Sequence, residues 1–350
     1  MNYFNIEEYD KIKRDLRRLG FKEFKLEKIK KGVNSKIYKI SNDRNNLILK
    51  VYPKMDFLKR KRIENEYNFL NLLIMSGYKN IPKPLGWDFK QNWMLMSFLD
   101  GKHIKKVKKI HYEKLIKFIF ETQSLKKNIL SKKLTNASEA SFNIFDHYKL
   151  IKQRVNIFFT RTRNNYYLNS KNIKNLNSIE NDINSNLDLI YKNELVYLSD
   201  YELNKDINLN QRIISQSDIG FHNIFEDKNR NLLFFDFEYA GWDDPGKLFS
   251  DLVLHPDHKI PFSLFHLLNS YLDNFIFGKG YKKERLNLIL SLYRLKWILI
   301  ILNPILKNMH STDINHLSEL KLKKAKNYME ESKIRLIAHK NNISSILEKY

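Results

Sequence analysis

At 350 residues the chain is long enough for one large domain or two ordinary ones, and its 43% hydrophobic and 13% aromatic content excludes a disordered chain. The absence of cysteine excludes a disulfide framework and any thiolate-held zinc or iron–sulfur centre. A formal net charge of +23 admits a polyanionic partner, but the lysines are spread along the chain and runs such as Lys105–Lys109 are short. The favoured reading is a solvated basic surface, with nucleic acid not expected as a partner.

The N-terminal stretch MNYFNIEEYDKIKRDL is mixed in charge, without an apolar core or a small-residue cleavage site, so no signal peptide is expected. The most apolar run, Trp297–Leu306, is shorter than the roughly 20 residues of a bilayer-spanning helix. No transmembrane segment and a cytoplasmic location are the expectations. Ile6, Tyr9, Ile12 and Leu16 recur at helical spacing and predict a helix over 6–19, stopped at Gly20. Strand-like runs follow at 21–29, 37–40 and 47–52, separated by the turns Gly32–Ser35 and Ser41–Asn45 and closed by Pro53.

A second helix is predicted from Phe57 to Met75, ended by Gly77. Ile81–Leu85 is extended, because each proline biases its predecessor away from the helix. Trp87 and the run 93–98 supply two further strands, and Phe98–Gly101 has the composition of a hinge. Beyond it the pattern is helical over 112–123, 141–160, 177–191 and most of 262–350, with one β-rich island at 212–237. The predicted architecture is α+β: a small β-rich lobe over 1–97 and a large, mainly helical lobe over 98–350.

The stretch Ser215-Gln216-Ser217-Asp218-Ile219-Gly220-Phe221-His222-Asn223, followed by Phe234-Phe235-Asp236-Phe237-Glu238, carries the chemistry. Phosphoryl transfer asks a protein to position an acceptor and to neutralise charge with metal ions. A loop carboxylate, Asp218, can orient a hydroxyl. An amide oxygen five residues later, on Asn223, can reach Mg²⁺, and so can a second carboxylate, Asp236, at the end of an apolar strand paired with the first. A plain hairpin with polar turn residues accounts for part of this pattern. It does not account for Asp-Phe-Glu directly after the second strand. In the N-terminal lobe, Lys50 interrupts the apolar run 47–52, where a buried ammonium needs a partner such as Glu64 or Glu66; an exposed edge-strand lysine is the alternative.

The catalytic-loop stretch resembles the His-Gly-Asp-x4-Asn loop of the aminoglycoside phosphotransferase and choline kinase family, and Asp236 to Pro245 is similar to the Asp-Phe-Glu…Gly-Asp-Pro run after it. Leu254-His255-Pro256 and Leu295–Asn303 resemble a bacterial subgroup with a Ser-x-Ser-Asp-x-Gly-Phe-His-Asn loop, so the resemblance spans Gly32 to Asn303. It implies a protein kinase-like two-lobed fold, ATP (with GTP as the alternative) and Mg²⁺. It assigns Asp218 to catalysis, Asn223 and Asp236 to metal, and Lys50, paired with Glu66 of a Glu-x3-Leu pattern, to the α- and β-phosphates. Gly32, Asn34 and Ser35 fall in a phosphate-covering turn, and Ser97 and Phe98 in the segment that bonds the adenine edge.

The chain departs from the pattern at Gln216 and Ser217, where the family has His and Gly, and at Leu248, where it has Asp. Asp251 is then expected to bond the catalytic loop or to face solvent, and Asp244 to brace the loop. His222 and His255 read as structural histidines first and substrate contacts second. The implied activity is transfer of a γ-phosphoryl group to a hydroxyl of a small molecule, a sugar or cell-envelope precursor being favoured. Carboxylates at Glu180, Asp182, Asp188, Glu194, Asp200, Glu202 and Asp206 leave a cationic acceptor open. The alternative is a non-catalytic kinase-like protein that binds a nucleotide or polyanion. A protein kinase is disfavoured by the lack of an Ala-Pro-Glu segment. Monomer and dimer are equally compatible with the sequence.

Overall fold

One antiparallel sheet with two differently used faces organises the first hundred residues. The computed structural model describes residues 6–18, 20–31, 35–42, 45–53, 61–163 and 167–347. Helix α1 (Ile6–Arg18) precedes strands β1 (Lys25–Lys31), β2 (Lys36–Ser41) and β3 (Asn46–Val51). Helix α2 (Arg62–Met75) follows, its predicted start at Phe57 lying outside the described residues, and β4 (Pro84–Asp88) and β5 (Trp93–Ser97) complete the sheet. The strand order is β1-β2-β3-β5-β4.

Side chains alternate across a strand, and here the alternation divides two cores. Leu49 of β3 and Leu95 of β5 join Ile12, Leu16, Leu26, Tyr38 and Ile40 in a small cluster with α1. Met94 and Met96 of β5 point the other way, into the main core. Lys50, next to Leu49, consequently leaves the α1 face and turns toward α2 and the cleft.

The C-terminal lobe begins with β6 (Lys102–His103), α3 (Lys109–Ser124), α4 (Ile144–Arg163), α5 (Ser170–Ile190) and α6 (Asp200–Asn204). Four short strands follow, β7 (Ile213–Ser215), β8 (Ile224–Glu226), β9 (Leu232–Phe234) and β10 (Gly241–Asp243). Helices α7 (Pro245–Val253), α8 (Phe265–Tyr271), α9 (Lys283–Lys307) and α10 (Ile314–Leu347) complete the lobe. The predicted β island is two sheets: β8 and β9 form the expected hairpin beside β6, whereas β7 pairs with β10.

Helix α9 is apolar on nearly every side. By length and hydropathy it could cross a bilayer, a property the shorter run 297–306 did not reveal. In this fold 78% of its apolar window is buried, and it packs against α4, α7 and α10. A helix apolar all round needs partners all round, and these neighbours supply them.

The hairpin is fastened to both lobes. Phe118 of α3 stacks on Phe234 of β9 with centroids 3.9 Å apart. The Asn80 side chain donates to the Leu232 carbonyl, and the Phe234 N–H donates to the Asn80 carbonyl, at 3.0 and 2.9 Å. At the hinge, a Cβ on Gly101 would lie 2.8 Å from Phe225 Cβ and 3.0 Å from Leu233 Cδ1. Only a glycine lets the crossing chain lie this close to the hairpin.

Candidate active site

The register of β3 sets one half of the site. Lys50 is 3% exposed, and its Nζ lies 2.6 Å from Glu66 Oε2, 2.5 Å from Asp236 Oδ1 and 3.1 Å from Glu238 Oε2. Glu66, and not Glu64, is the partner, because Glu64 lies nearer solvent and pairs with Lys61. Glu66 also accepts from the Tyr52 hydroxyl (2.7 Å) and the Phe237 N–H (3.2 Å). Burial alone would lower the Lys50 pKa, but Asp236, Glu66 and Glu238 outweigh it and hold the ammonium well above its usual value.

Glu238 ties a second cation into the cluster. Its Oε1 accepts from Arg62 at 3.0 Å, and its Oε2 accepts from Ser35 Oγ at 2.8 Å. Burial acts to raise its pKa, and Lys50, Ser35 and Arg62 together pull it down. Ser35, which the resemblance places in the phosphate-covering turn, donates its hydroxyl to Glu238, since a buried carboxylate needs donors. Gly32 and Asn34 of the same turn lie outside the described residues.

The other half is the loop between β7 and β8. The Asn223 side-chain amide donates to the Asp218 carbonyl and to Asp218 Oδ2, both at 3.2 Å, while His222 Nε2 lies 3.4 Å from Oδ1. The side chain of Asp218 is 37% exposed. Burial raises its pKa, but the His222 and Asn223 hydrogen bonds win and keep it below the ordinary carboxylate value. The hairpin register joins the two halves, because the Phe235 N–H donates to the Asn223 carbonyl at 3.2 Å and so sets Asp236 beside Asn223. Asp236 has φ 67°, a left-handed conformation that Asp and Asn tolerate better than most residues.

The Ser217 departure has a physical reason. Ser217 has φ 64°, which explains why a glycine suits this position. The serine hydroxyl makes two bonds a glycine lacks, donating to the Ser138 carbonyl and accepting from Lys247 Nζ, each at 3.2 Å, while its backbone N–H donates to Ser215 Oγ at 2.9 Å. Gln216 is 7% exposed, and its amide nitrogen and oxygen have no partner among the described residues.

Two expectations need correction. Asp251 neither bonds the loop nor faces solvent: it is 3% exposed and accepts from Lys296 at 2.5 Å, because a buried carboxylate beside a buried ammonium must pair with it. Ser97 does not offer its N–H to a nucleotide base, since that group donates to the Lys83 carbonyl and the Ser97 hydroxyl accepts the Lys83 N–H, each at 2.9 Å. Phe98 adjoins it at the hinge, with Lys39 Nζ 5.2 Å above its ring.

Asp244 braces the lobe from below. It caps α7 by accepting the Gly246 N–H at 2.7 Å, with Pro245 at the first helical position, and it accepts from Tyr281 and Arg285, each at 2.7 Å. Despite burial, Arg285 and the buried His147 beside it hold its carboxyl far below the usual range.

Tyr52, Arg62 and Glu238 were not singled out from the sequence as site residues. Tyr52 had a signal, lying two residues beyond Lys50 and hence on the same strand face. Glu238 had one in its motif position. Arg62 had none, because its partner is 176 residues away.

No protein-family model and no curated protein sequence matches the chain. Solved structures do. Spectinomycin phosphotransferase APH(9)-Ia, in complex with ADP and spectinomycin, superposes with a TM-score of 0.57 at 14% identity, covering 91% of this chain and 93% of that one. The choline kinase LicA from Streptococcus pneumoniae gives 0.53 at 15%, covering 93% and 99%. A choline kinase from Cryptosporidium parvum gives 0.53 at 11%, covering 90% of each chain. The chain therefore has the two-lobed, protein kinase-like fold that aminoglycoside phosphotransferases and choline kinases share.

Proposed function

We propose that this protein transfers the γ-phosphoryl group of a nucleoside triphosphate, ATP in the first instance, to a hydroxyl of a small molecule. The observation that carries the reading is the assembly of Lys50, Glu66, Asp218, Asn223 and Asp236 around one cleft from four distant segments. A fold retained for another purpose has no need to keep all five. In this reading Lys50 leans on Glu66 and presents its ammonium to the phosphates.

The residues present suit a divalent cation. Asn223 donates through its amide nitrogen, which leaves the amide oxygen as a ligand, and among the described residues the cleft holds Glu66, Asp236 and Glu238 against Lys50 and Arg62. Asn223 and Asp236 would hold Mg²⁺, which would neutralise charge on the transferring phosphate. Asp218 faces the acceptor. The acceptor oxygen bonds to the γ-phosphorus as the bond to the β,γ-bridging oxygen breaks, and the hydroxyl proton passes to the Asp218 carboxylate. With its pKa held low, Asp218 is an orienting group first and a base late in the step.

A hydroxylated metabolite such as a sugar or cell-envelope precursor is the favoured acceptor class. The similar structures are named for spectinomycin and choline as substrates of those proteins. The test is a nucleotide-consumption screen across hydroxyl acceptors with Mg²⁺, using the Asp218→Ala protein as the blank. Transfer is expected to vanish in the variant while nucleotide affinity persists. Equal consumption by both proteins would overturn the reading, and no turnover with any acceptor combined with no Mg-nucleotide binding would favour a binding protein.

A further inference from the structure

A second gathering of titratable side chains borders the cleft. Ring nitrogens of His222, His255 and His258 lie within 4.8 Å of one another, so histidines that are far apart or unremarked in the sequence form one cluster. Such a trio can be a chelate or a stack. A metal takes the lone pair of an imidazole nitrogen, which lies in the ring plane, so a chelate needs planes that converge. Here His255 and His258 are stacked with centroids 3.9 Å apart and planes 14° apart, and His222 lies 6.0 Å from His255 at 27°. Near-parallel planes do not meet on one ion.

Hydrogen bonding agrees with a stack. His255 Nδ1 accepts the Asp257 N–H at 3.1 Å, and His258 Nε2 accepts the Phe221 N–H at 3.2 Å. Each ring therefore uses one lone pair on backbone and carries its proton on the other nitrogen. Burial comes first for both rings; repulsion from His258 and His222 then holds His255 well below its ordinary pKa, and repulsion from His222 helps push His258 down to about 4. Trp297 of α9 closes the column edge-on at 4.6 Å from His255. The result is an uncharged aromatic column running from the core to the cleft.

His222 is the open end of that column. Its side chain is 49% exposed, with Nε2 at 3.4 Å from Asp218 Oδ1. Gly220 makes the placement possible. Its φ of −168° is ordinary extended backbone, so space and not conformation requires the glycine. A Cβ there would lie 2.3 Å from His222 Nδ1 and 2.4 Å from Cε1. A missing side chain, an aromatic column and a carboxylate thus all fix one half-exposed ring, more constraint than a surface histidine needs.

We infer that His222 is a positioning residue of the transfer reaction: its Nε2–H holds Oδ1 of Asp218 while Asn223 holds Oδ2, and the His255–His258–Trp297 column keeps it there. This rests on the phosphotransfer reading. Its consequence is that both oxygens of Asp218 stay held, Oδ2 by the Asn223 amide nitrogen and Oδ1 by His222, while the Asn223 amide oxygen is left for a metal.

The test compares His222→Ala, His222→Gln and Gly220→Ala with the unaltered protein for Mg-ATP turnover, to water or to any acceptor found. His222→Ala and Gly220→Ala should each lower kcat by about 10- to 100-fold, the scale of a misplaced reacting group. The KM for ATP and the Tm should stay unchanged, and His222→Gln should recover part of the loss. A kcat within twofold in His222→Ala, with nucleotide binding intact, overturns the inference. If Asp218→Ala also leaves turnover unchanged, the failure belongs to the phosphotransfer reading instead. A second readout needs no turnover: the Nε2–H resonance of His222 in a long-range proton–nitrogen spectrum should shift in Asp218→Asn, and an unmoved resonance overturns the inference.

Discussion

Two buried charge networks in this chain are built on opposite plans. In the cleft, Lys50 and Arg62 face three carboxylates, Glu66, Asp236 and Glu238, and the Asp236 side chain is 39% exposed. Beneath the loop between β7 and β8, Lys247, Lys296 and Arg285 face Asp243, Asp251 and Asp244, and each of these carboxylates is at most 4% exposed. The lower network is matched charge for charge and sealed, as a scaffold should be. The upper one has a carboxylate in excess and is open at that carboxylate, which suits a site for a cation and its phosphates.

The contrast can be broken by paired substitutions, and the largest effect is expected below the loop. Asp251→Asn leaves the Lys296 ammonium buried without its carboxylate, and should destabilise the protein by about 3–5 kcal/mol in chemical denaturation. Asp236→Asn should instead change stability by less than about 1 kcal/mol, because Lys50 keeps Glu66 and Glu238 and asparagine tolerates the same φ. It should nevertheless lose Mg-nucleotide turnover. Equal stability losses in the two variants would remove the distinction between scaffold and site.

A smaller effect concerns acid. His339 is 4% exposed, stacked on Phe265, and pushed down to about 4 by burial and by Arg335. A histidine depressed in the folded state binds more protons when unfolded. Its contribution is present above the unfolded value near 6.5 and is lost as pH falls toward 4, up to about 3 kcal/mol. His339→Phe should flatten the fall in Tm between pH 7 and pH 4, and an unchanged profile would assign the acid sensitivity elsewhere. The smallest effect belongs to Ser217→Gly. It relieves a left-handed strain of about 1 kcal/mol and removes hydroxyl bonds of similar worth, so Tm should shift by only a few degrees in either direction.

Local pattern made a good part of this molecule legible. The helix over 6–18, the strands at 36–41, 46–51 and 93–97 and the β8–β9 hairpin follow from periodicity, turn residues and proline, all interactions between near neighbours. The 3.6-residue rhythm of α9 was harder to delimit, because a helix buried on every side has no polar face to mark its ends. The pairing of β7 with β10 had no local signal, since the two strands are joined by a register that no local rule fixes.

The sequence by itself determined that Asp218, Asn223 and Asp236 would flank one hairpin, because a loop and two short apolar strands leave little freedom in how they close. It also determined that Lys50 needed a carboxylate, because a lone ammonium is not stable in an apolar strand. Only the tertiary structure decided which carboxylates answered it, drew Arg62 and Ser35 to Glu238, and turned Asp251 inward to Lys296. Only packing likewise raised His222 on a column of neutral rings beside Asp218. Those partners lie tens to hundreds of residues apart, and charges and rings meet at such separations through the packing of whole elements.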